Sequence, residues 1–161
     1  MLTQIRPATP ADFECIASLT KSPAELYLVY PSGQFPWDVA QLNALYTKRS
    51  DFTVAETDGQ IAAFANLYQV KPGESAFIGN VIVDSAYRGL GIGRQLTQHM
   101  IRVCRDNYTA IPHLSVFGFN APAMLMYAGL GFVPYAVEAR QDLQGKPVAL
   151  IHMHLRQDTQ P

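Results

Sequence analysis

Asn80-Val81-Ile82-Val83-Asp84-Ser85-Ala86-Tyr87-Arg88-Gly89-Leu90-Gly91-Ile92-Gly93-Arg94 leads into a run ending near Arg105, and its reading decides the fold. Val81-Ile82-Val83 is an apolar strand pattern, and Asp84 to Tyr87 is a short polar connection. Glycines then alternate at 89, 91 and 93. From Gln95 to Arg105 the residues Leu96, Met100, Val103 and Cys104 recur at helical spacing. A strand thus feeds a glycine-rich turn, and the turn opens a helix. The first N–H groups of such a helix lack internal partners. They lie at the positive end of its dipole and suit a phosphate or pyrophosphate. Glycine lets the backbone approach an anion closely. Arg88 and Arg94 add guanidinium groups, whose geometry matches phosphate oxygens. A tight turn that holds no ligand is the alternative.

Spacing narrows the ligand. A P-loop ends in Gly-Lys-Ser/Thr, whereas Gly93 is followed by Arg94 and Gln95. A dinucleotide fingerprint, G-x-G-x-x-G, would place its third glycine where Arg94 or Leu96 stands. What remains is Arg-x-x-Gly-x-Gly on Arg88, Gly91 and Gly93.

The chain of 161 residues suits one domain, residues 1–161, with a sizeable core. A hydrophobic content of 48% describes a soluble globular protein. A net charge of −1 argues against a field that steers the chain to nucleic acid or an anionic membrane. No apolar run reaches the roughly 18 residues of a membrane span. Met1 to Pro7 lacks the basic and apolar regions of a signal peptide. Cys15 and Cys104 fall in predicted helices and read as buried free thiols of a cytoplasmic protein. Two cysteines make neither a disulfide framework nor a four-ligand zinc site, and no metal is expected.

Leu2 to Arg6 alternates as a short strand. Thr9-Pro10 opens a helix on Phe13, Ile16, Ala17 and Thr20 that should stop near Lys21-Ser22-Pro23. Residues 23–36 are rich in proline and aromatics and read as a short helix or loop. A helix is expected over Trp37 to Thr47. Asp51–Thr57 and Ile61–Gln69 flank Asp58-Gly59, a strong hairpin signal. A turn at Lys71 to Glu74 leads to the strand Ser75–Val83. After the glycine-turn helix come a strand at His113–Phe117 and a helix capped by Asn120 with Pro122 in its first turn. Two final strands are expected, Phe132–Arg140 and Pro147–Leu155.

The segment Asn120 to Phe132 carries Asn-x-x-Ala-x-x-x-Tyr-x-x-x-Gly-Phe. Together with Arg-x-x-Gly-x-Gly, in that order and on those elements, it resembles the two signatures of the GNAT superfamily of N-acetyltransferases. The resemblance is close over residues 80–132 and fits in element order from 2 to 155. It implies an α/β fold of the α+β type: a mixed, mostly antiparallel twisted sheet of about seven strands flanked by helices. The fourth and fifth strands would run parallel and splay apart, and acetyl-CoA would sit in the gap.

The resemblance also implies roles. Val81, Ile82 and Val83 would pair with the pantetheine arm. Backbone N–H groups over Gly89, Leu90, Gly91, Ile92, Gly93 and Arg94, with Arg88, would hold the pyrophosphate. Asn120 would bond the pantetheine side, although a cap role alone explains it. Tyr127 would be the general acid, although a packed aromatic explains it too. Tyr30, Trp37 and Asn80 would meet the acceptor, although aromatics pack as readily in a core. The acceptor would be a primary amine of a small molecule or peptide. Family members often carry a glutamate where this chain has Phe77 or Ser115, so the general base departs from the pattern. Water held by Ser115, Asn66 or Asn80 is one route, and Glu25, Asp38 and Glu74 are the acidic alternatives. His113, His152 and His154 read as structural, and His99 as solvated. The missing carboxylates leave a rival reading, an acyl-CoA-binding sensor of the same fold that catalyses nothing. The chain would be a monomer or a homodimer; the last strand and the Gln144-Gly145-Lys146 hairpin could mediate a dimer, and nothing in the sequence demands one.

Overall fold

Residues 2–157 are described by a computed structural model. Seven strands form one sheet: β1 (Thr3–Pro7), β2 (Ser50–Thr57), β3 (Gln60–Lys71), β4 (Ser75–Val83), β5 (Ile111–Phe117), β6 (Phe132–Gln141) and β7 (Pro147–Leu155). Their order is β1-β2-β3-β4-β5-β7-β6, with β4 and β5 parallel and the other pairs antiparallel. The hairpins follow their turn chemistry. Asp58 and Gly59 take φ of 52° and 80°, the positive values that a tight β2–β3 turn needs.

Among the described residues five α-helices cover the sheet: α1 (Phe13–Ala17), α2 (Pro23–Val29), α3 (Val39–Tyr46), α4 (Ile92–Tyr108) and α5 (Ala121–Gly129). One core packs Phe13, Ile16, Leu26 and Leu42 from α1–α3 against Phe52, Val54 and Phe64. The other packs Leu96, Met100 and Cys104 of α4 against Ala55, Ala63 and Ala65. Successive strand residues point to opposite faces. Ala63 and Ala65 therefore meet the α4 side while Phe64 meets the other.

Several boundaries differ from the sequence expectation. α1 stops at Ala17, because the Ser18 hydroxyl donates to Cys15 O at 2.7 Å and closes the helix. Of the short helix or loop expected after Ser22, the helix forms as α2, with Ser22 Oγ accepting from Glu25 N at 3.1 Å. α3 starts after Trp37, because Asp38 caps it by accepting from Gln41 N at 2.9 Å. α4 begins at Ile92 rather than Gln95. Cys104 is buried, which pushes its thiol up to about 12, but Cys15 is exposed, against expectation. Cys15 lies on a helix of 5 residues whose buried side chains are Phe13 and Ile16.

The feature that positions the site is where β4 and β5 part. Their pairing runs through Ser75↔Ile111, Ala76↔Pro112 and Phe77↔His113 and goes no further. Beyond it β4 is bulged. Phe64↔Ile82 and Asn66↔Gly79 are successive pairings with β3, so β4 carries one more residue than β3 between them. Within that bulge Asn80 has φ 50°. A bulge bends its strand and sharpens its twist, so the remainder of β4 leaves β5 and a gap opens.

Candidate active site

Two clefts meet at this gap. The first is lined by Val81, Ile82, Val83, Arg88, Gly89, Gly91, Ile92, Gly93, Arg94, Asn120 and Tyr127. Leu90 stands apart from that lining, 50% exposed at the outside of the loop. Gly91 caps α4 in the left-handed region at φ 82°, and no side chain caps the helix. Gln95 N donates to Gly91 O at 3.1 Å. The N–H groups of Ile92, Gly93 and Arg94, one turn earlier, therefore have no intrahelical partner. They open on the cleft.

The glycines differ in task. A Cβ on Gly89 or Gly91 would meet nothing within 4 Å, so positive φ is what these two positions require. A Cβ on Gly93 would stand 3.2 Å from Val83 Cγ2, so this glycine lets α4 close on β4. A helix start with no side-chain cap, a strand edge without a partner and two arginines fit a pantetheine diphosphate. Arg88 is meanwhile held by Val83 O (3.2 Å from Nε) and Glu25 (3.2 Å from Nη2).

Asn120 Oδ1 accepts from Ala123 N at 3.4 Å, so its cap role is real, and the residue lines both clefts. Tyr127 also lines both and is 6% exposed. Burial raises its phenol well above the usual range. Its hydroxyl has no hydrogen-bond partner among the described residues.

The second cleft, of about 540 Å³, includes Tyr30, Arg49, Tyr68, Asn80, Ser115 and His152 in its lining. Trp37 is not there. It is 4% exposed in the α1–α3 core, with Tyr30 and Phe64 as ring neighbours at 6.1 and 6.2 Å. The short loop into α3 folds its indole inward, which corrects its assignment to the acceptor groove. Asn80 does reach the cleft, but its amide is taken up. Oδ1 accepts from Arg49 Nη1 (2.9 Å) and Asn66 Nδ2 (2.8 Å), and Nδ2 donates to Val29 O (2.7 Å).

Of the acidic alternatives, Asp38 caps α3, Glu74 sits exposed in the β3–β4 turn, and Glu25 belongs to the first cleft. His99 is half-buried rather than solvated, which lowers its pKa, with Arg102 adding to the effect. His113 Nδ1 lies 3.0 Å from the Tyr135 hydroxyl, and His154 Nδ1 lies 3.0 Å from Leu155 O.

His152, whose sequence position suggests a structural role, lines the cleft beside Ser115. Ser115 and His152 are direct partners across β5 and β7, with Ser115 Oγ 2.6 Å from His152 Nδ1. His152 Nε2 lies 3.1 Å from Glu138 Oε1, and Glu138 also accepts from Arg140. Arg140 first and His152 second hold the Glu138 carboxyl below its usual range. An ionised carboxylate only accepts, so Nε2 carries the hydrogen and Nδ1 accepts from Ser115. Arg49, Glu138 and His152 are thus the cleft residues that local sequence reading missed. The one local signal was Gly79-Asn80 inside a strand, a mark of a bulge.

A mostly antiparallel sheet opened between two parallel strands, with a helix start free of side-chain caps on the gap and a buried phenol where two clefts join, is an architecture that suits an acyltransferase. The chain belongs to the acetyltransferase (GNAT) family, whose model matches residues 16–132, and it is an N-acetyltransferase. The family draws its acetyl group from acetyl-CoA. The chain is 31% identical over 113 residues to the [ribosomal protein bS18]-alanine N-acetyltransferase of Escherichia coli K12, covering 70% of this chain and 75% of that one. The crystal structure of the Escherichia coli ribosomal-protein-S18-alanine N-acetyltransferase superposes with a TM-score of 0.72 at 27% identity, over 96% of this chain and 93% of that one. A GCN5-related N-acetyltransferase from Kribbella flavida does so with a TM-score of 0.77 at 27% identity, over 94% and 96%. Among the described residues no helix is long and apolar enough to cross a membrane.

Proposed function

We propose that the chain works as one catalytic domain that binds acetyl-CoA in the first cleft and passes the acetyl group directly to a primary amine in the second. The observation that carries this is the junction at Tyr127, which lines both clefts at the β4–β5 gap. The free amides of Ile92, Gly93 and Arg94 hold the diphosphate, with Arg88 and Arg94 beside them. The unpaired edge of Val81, Ile82 and Val83 takes the pantetheine amides as an added strand would. One backbone N–H near Val81 donates to the thioester carbonyl oxygen. Such a donor gains strength as that oxygen becomes negative, and is typically worth about 3 kcal/mol. A cytoplasmic setting suits two free thiols.

The proton route accounts for the missing strand glutamates. An ammonium must lose a proton before its nitrogen can attack. It donates to Ser115 Oγ, and the Ser115 hydroxyl proton passes to His152 Nδ1. Glu138 at Nε2 fixes the tautomer and stabilises the imidazolium. The nitrogen bonds to the carbonyl carbon, the carbon–sulfur bond breaks, and the leaving thiolate takes the proton of Tyr127. Desolvation raises the phenol, so Tyr127 holds its proton until the thiolate leaves. The sensor reading loses its motive once this row of polar groups is counted.

Tyr127→Phe tests the assignment. Release of thiol from acetyl-CoA in the presence of an accepted amine should fall at least about tenfold, in line with general acid catalysis. Coenzyme A affinity measured by calorimetry should persist. An unchanged kcat would remove Tyr127 from the chemistry.

A further inference from the structure

Arg49 precedes β2 and reaches into the acceptor cleft, where its seat is unusually complete. Nη1 donates to Asn66 Oδ1 at 3.2 Å and to Asn80 Oδ1 at 2.9 Å. The guanidinium carbon lies 4.2 Å from the centre of the Tyr68 ring. Gly79 leaves room for both, since a Cβ there would stand 2.5 Å from Nη1 and 2.7 Å from the Tyr68 ring carbons. The asparagines are themselves fixed, by Asn66 Nδ2 on Asn80 Oδ1 and Asn80 Nδ2 on Val29 O. The seat therefore joins β3, β4 and α2.

That seat contains no negative charge. Arg49 makes no ion pair among the described residues. Its neighbours are two amide oxygens and a phenol ring, all neutral. Burial works against its charge, yet a guanidinium in a protein stays protonated. A half-buried cation without a counter-charge is less favourable than a paired one. Here that unpaired cation faces an open cleft. The other cation in the lining, Arg140, is already matched by Glu138.

We propose that the acceptor brings the counter-charge: the chain acetylates a small amine that also carries a carboxylate, of the amino-acid type, and Arg49 holds that carboxylate. Nη1 is committed to the asparagines, so the Nη2 and Nε side of the fork is left for carboxylate oxygens. The cleft is then bipolar. The carboxylate lies on the β3–β4 side at Arg49. The amine lies across the gap at Ser115 of β5, His152 of β7 and Glu138 of β6. A cleft of about 540 Å³ suits a small molecule. A peptide N-terminus, whose first carbonyl is an uncharged amide, leaves Arg49 unmatched. The inference deepens the proposed function and rests on it.

The test compares matched acceptors: free amino acids with small, aliphatic and aromatic side chains, their amides, and the amines lacking the carboxyl carbon. Thiol release from acetyl-CoA is the readout. In the unaltered protein the carboxylate member of a set should exceed both counterparts at least about tenfold in kcat/KM, the scale of a charge-assisted hydrogen bond. In Arg49→Met that preference should vanish while KM for acetyl-CoA holds, and Arg49→Lys should keep part of it. Equal use of amide and acid by the unaltered protein would overturn the inference without any variant. So would an Arg49→Met protein that keeps the preference, or a peptide N-terminus that outruns every amino acid. In all three cases acetyl transfer itself would stand. No thiol release with any amine would instead overturn the catalytic reading and this inference with it.

Discussion

Tyr127 shows how far a single residue can be read from sequence. The second signature marked it, and burial at the junction of two clefts is what makes it a donor. Desolvation is the cause of its raised pKa. A general acid works in its protonated form, and a raised pKa keeps that form present to higher pH. An unperturbed phenol, near 10, would begin to lose its proton as the pH nears that value. Tyr127 should therefore impose no alkaline fall in kcat up to about pH 10. A kcat profile with saturating substrates checks this, and a fall near pH 8.5 that disappears in Tyr127→Phe would contradict it. Trp37 and His152 show the opposite case. Both are rings outside the two signatures, and nothing in their own sequence neighbourhood tells core from cleft. Trp37 went inward because Asp38 starts α3 immediately after it. His152 faces Ser115 because of a strand pairing between residues 37 apart in the chain.

At the scale of elements, turn chemistry was legible and helix starts were less so. Asp58-Gly59 made its hairpin, and Asn120 capped α5. The start of α4 is hidden from the sequence because three glycines look like loop, whereas Gly91 in the left-handed region is itself the cap. This has a consequence for substitution. Gly91→Ala keeps the polarity of the loop but forces a Cβ into the left-handed region, at a cost of about 1–2 kcal/mol. A chain of this size should lose about 2–8 °C in Tm. The strain is relieved by moving the first turn of α4, so KM for acetyl-CoA should rise as well. A lower Tm with unchanged KM would mean that Gly91 serves the turn alone and that the free amides do not hold the diphosphate.

The whole molecule turns on strand order, which local patterning does not encode. The last strand, β7, inserts between β5 and β6, and that insertion brings His152 to Ser115 and Glu138 to His152. The splay, by contrast, follows from the family resemblance, and its physical origin is the bulge at Asn80. Between Ile78 and Val83 one edge of β4 has no strand beside it, an arrangement that leaves N–H and C=O groups unpaired. A ligand that completes the sheet should act there and at the start of α4 together. Coenzyme A at about 100 times its Kd should add about 2.7 kcal/mol of stability, or about 5–11 °C in Tm. Amide hydrogen exchange should then slow at residues 78–83 and 91–94, while the β1–β2 edge on the far side of the sheet is unchanged. Protection spread evenly over the chain would reflect global stabilisation only. Protection at 91–94 without 78–83 would mean that the diphosphate is held but the arm does not pair with β4, and the thioester would then have no fixed position between Tyr127 and Ser115.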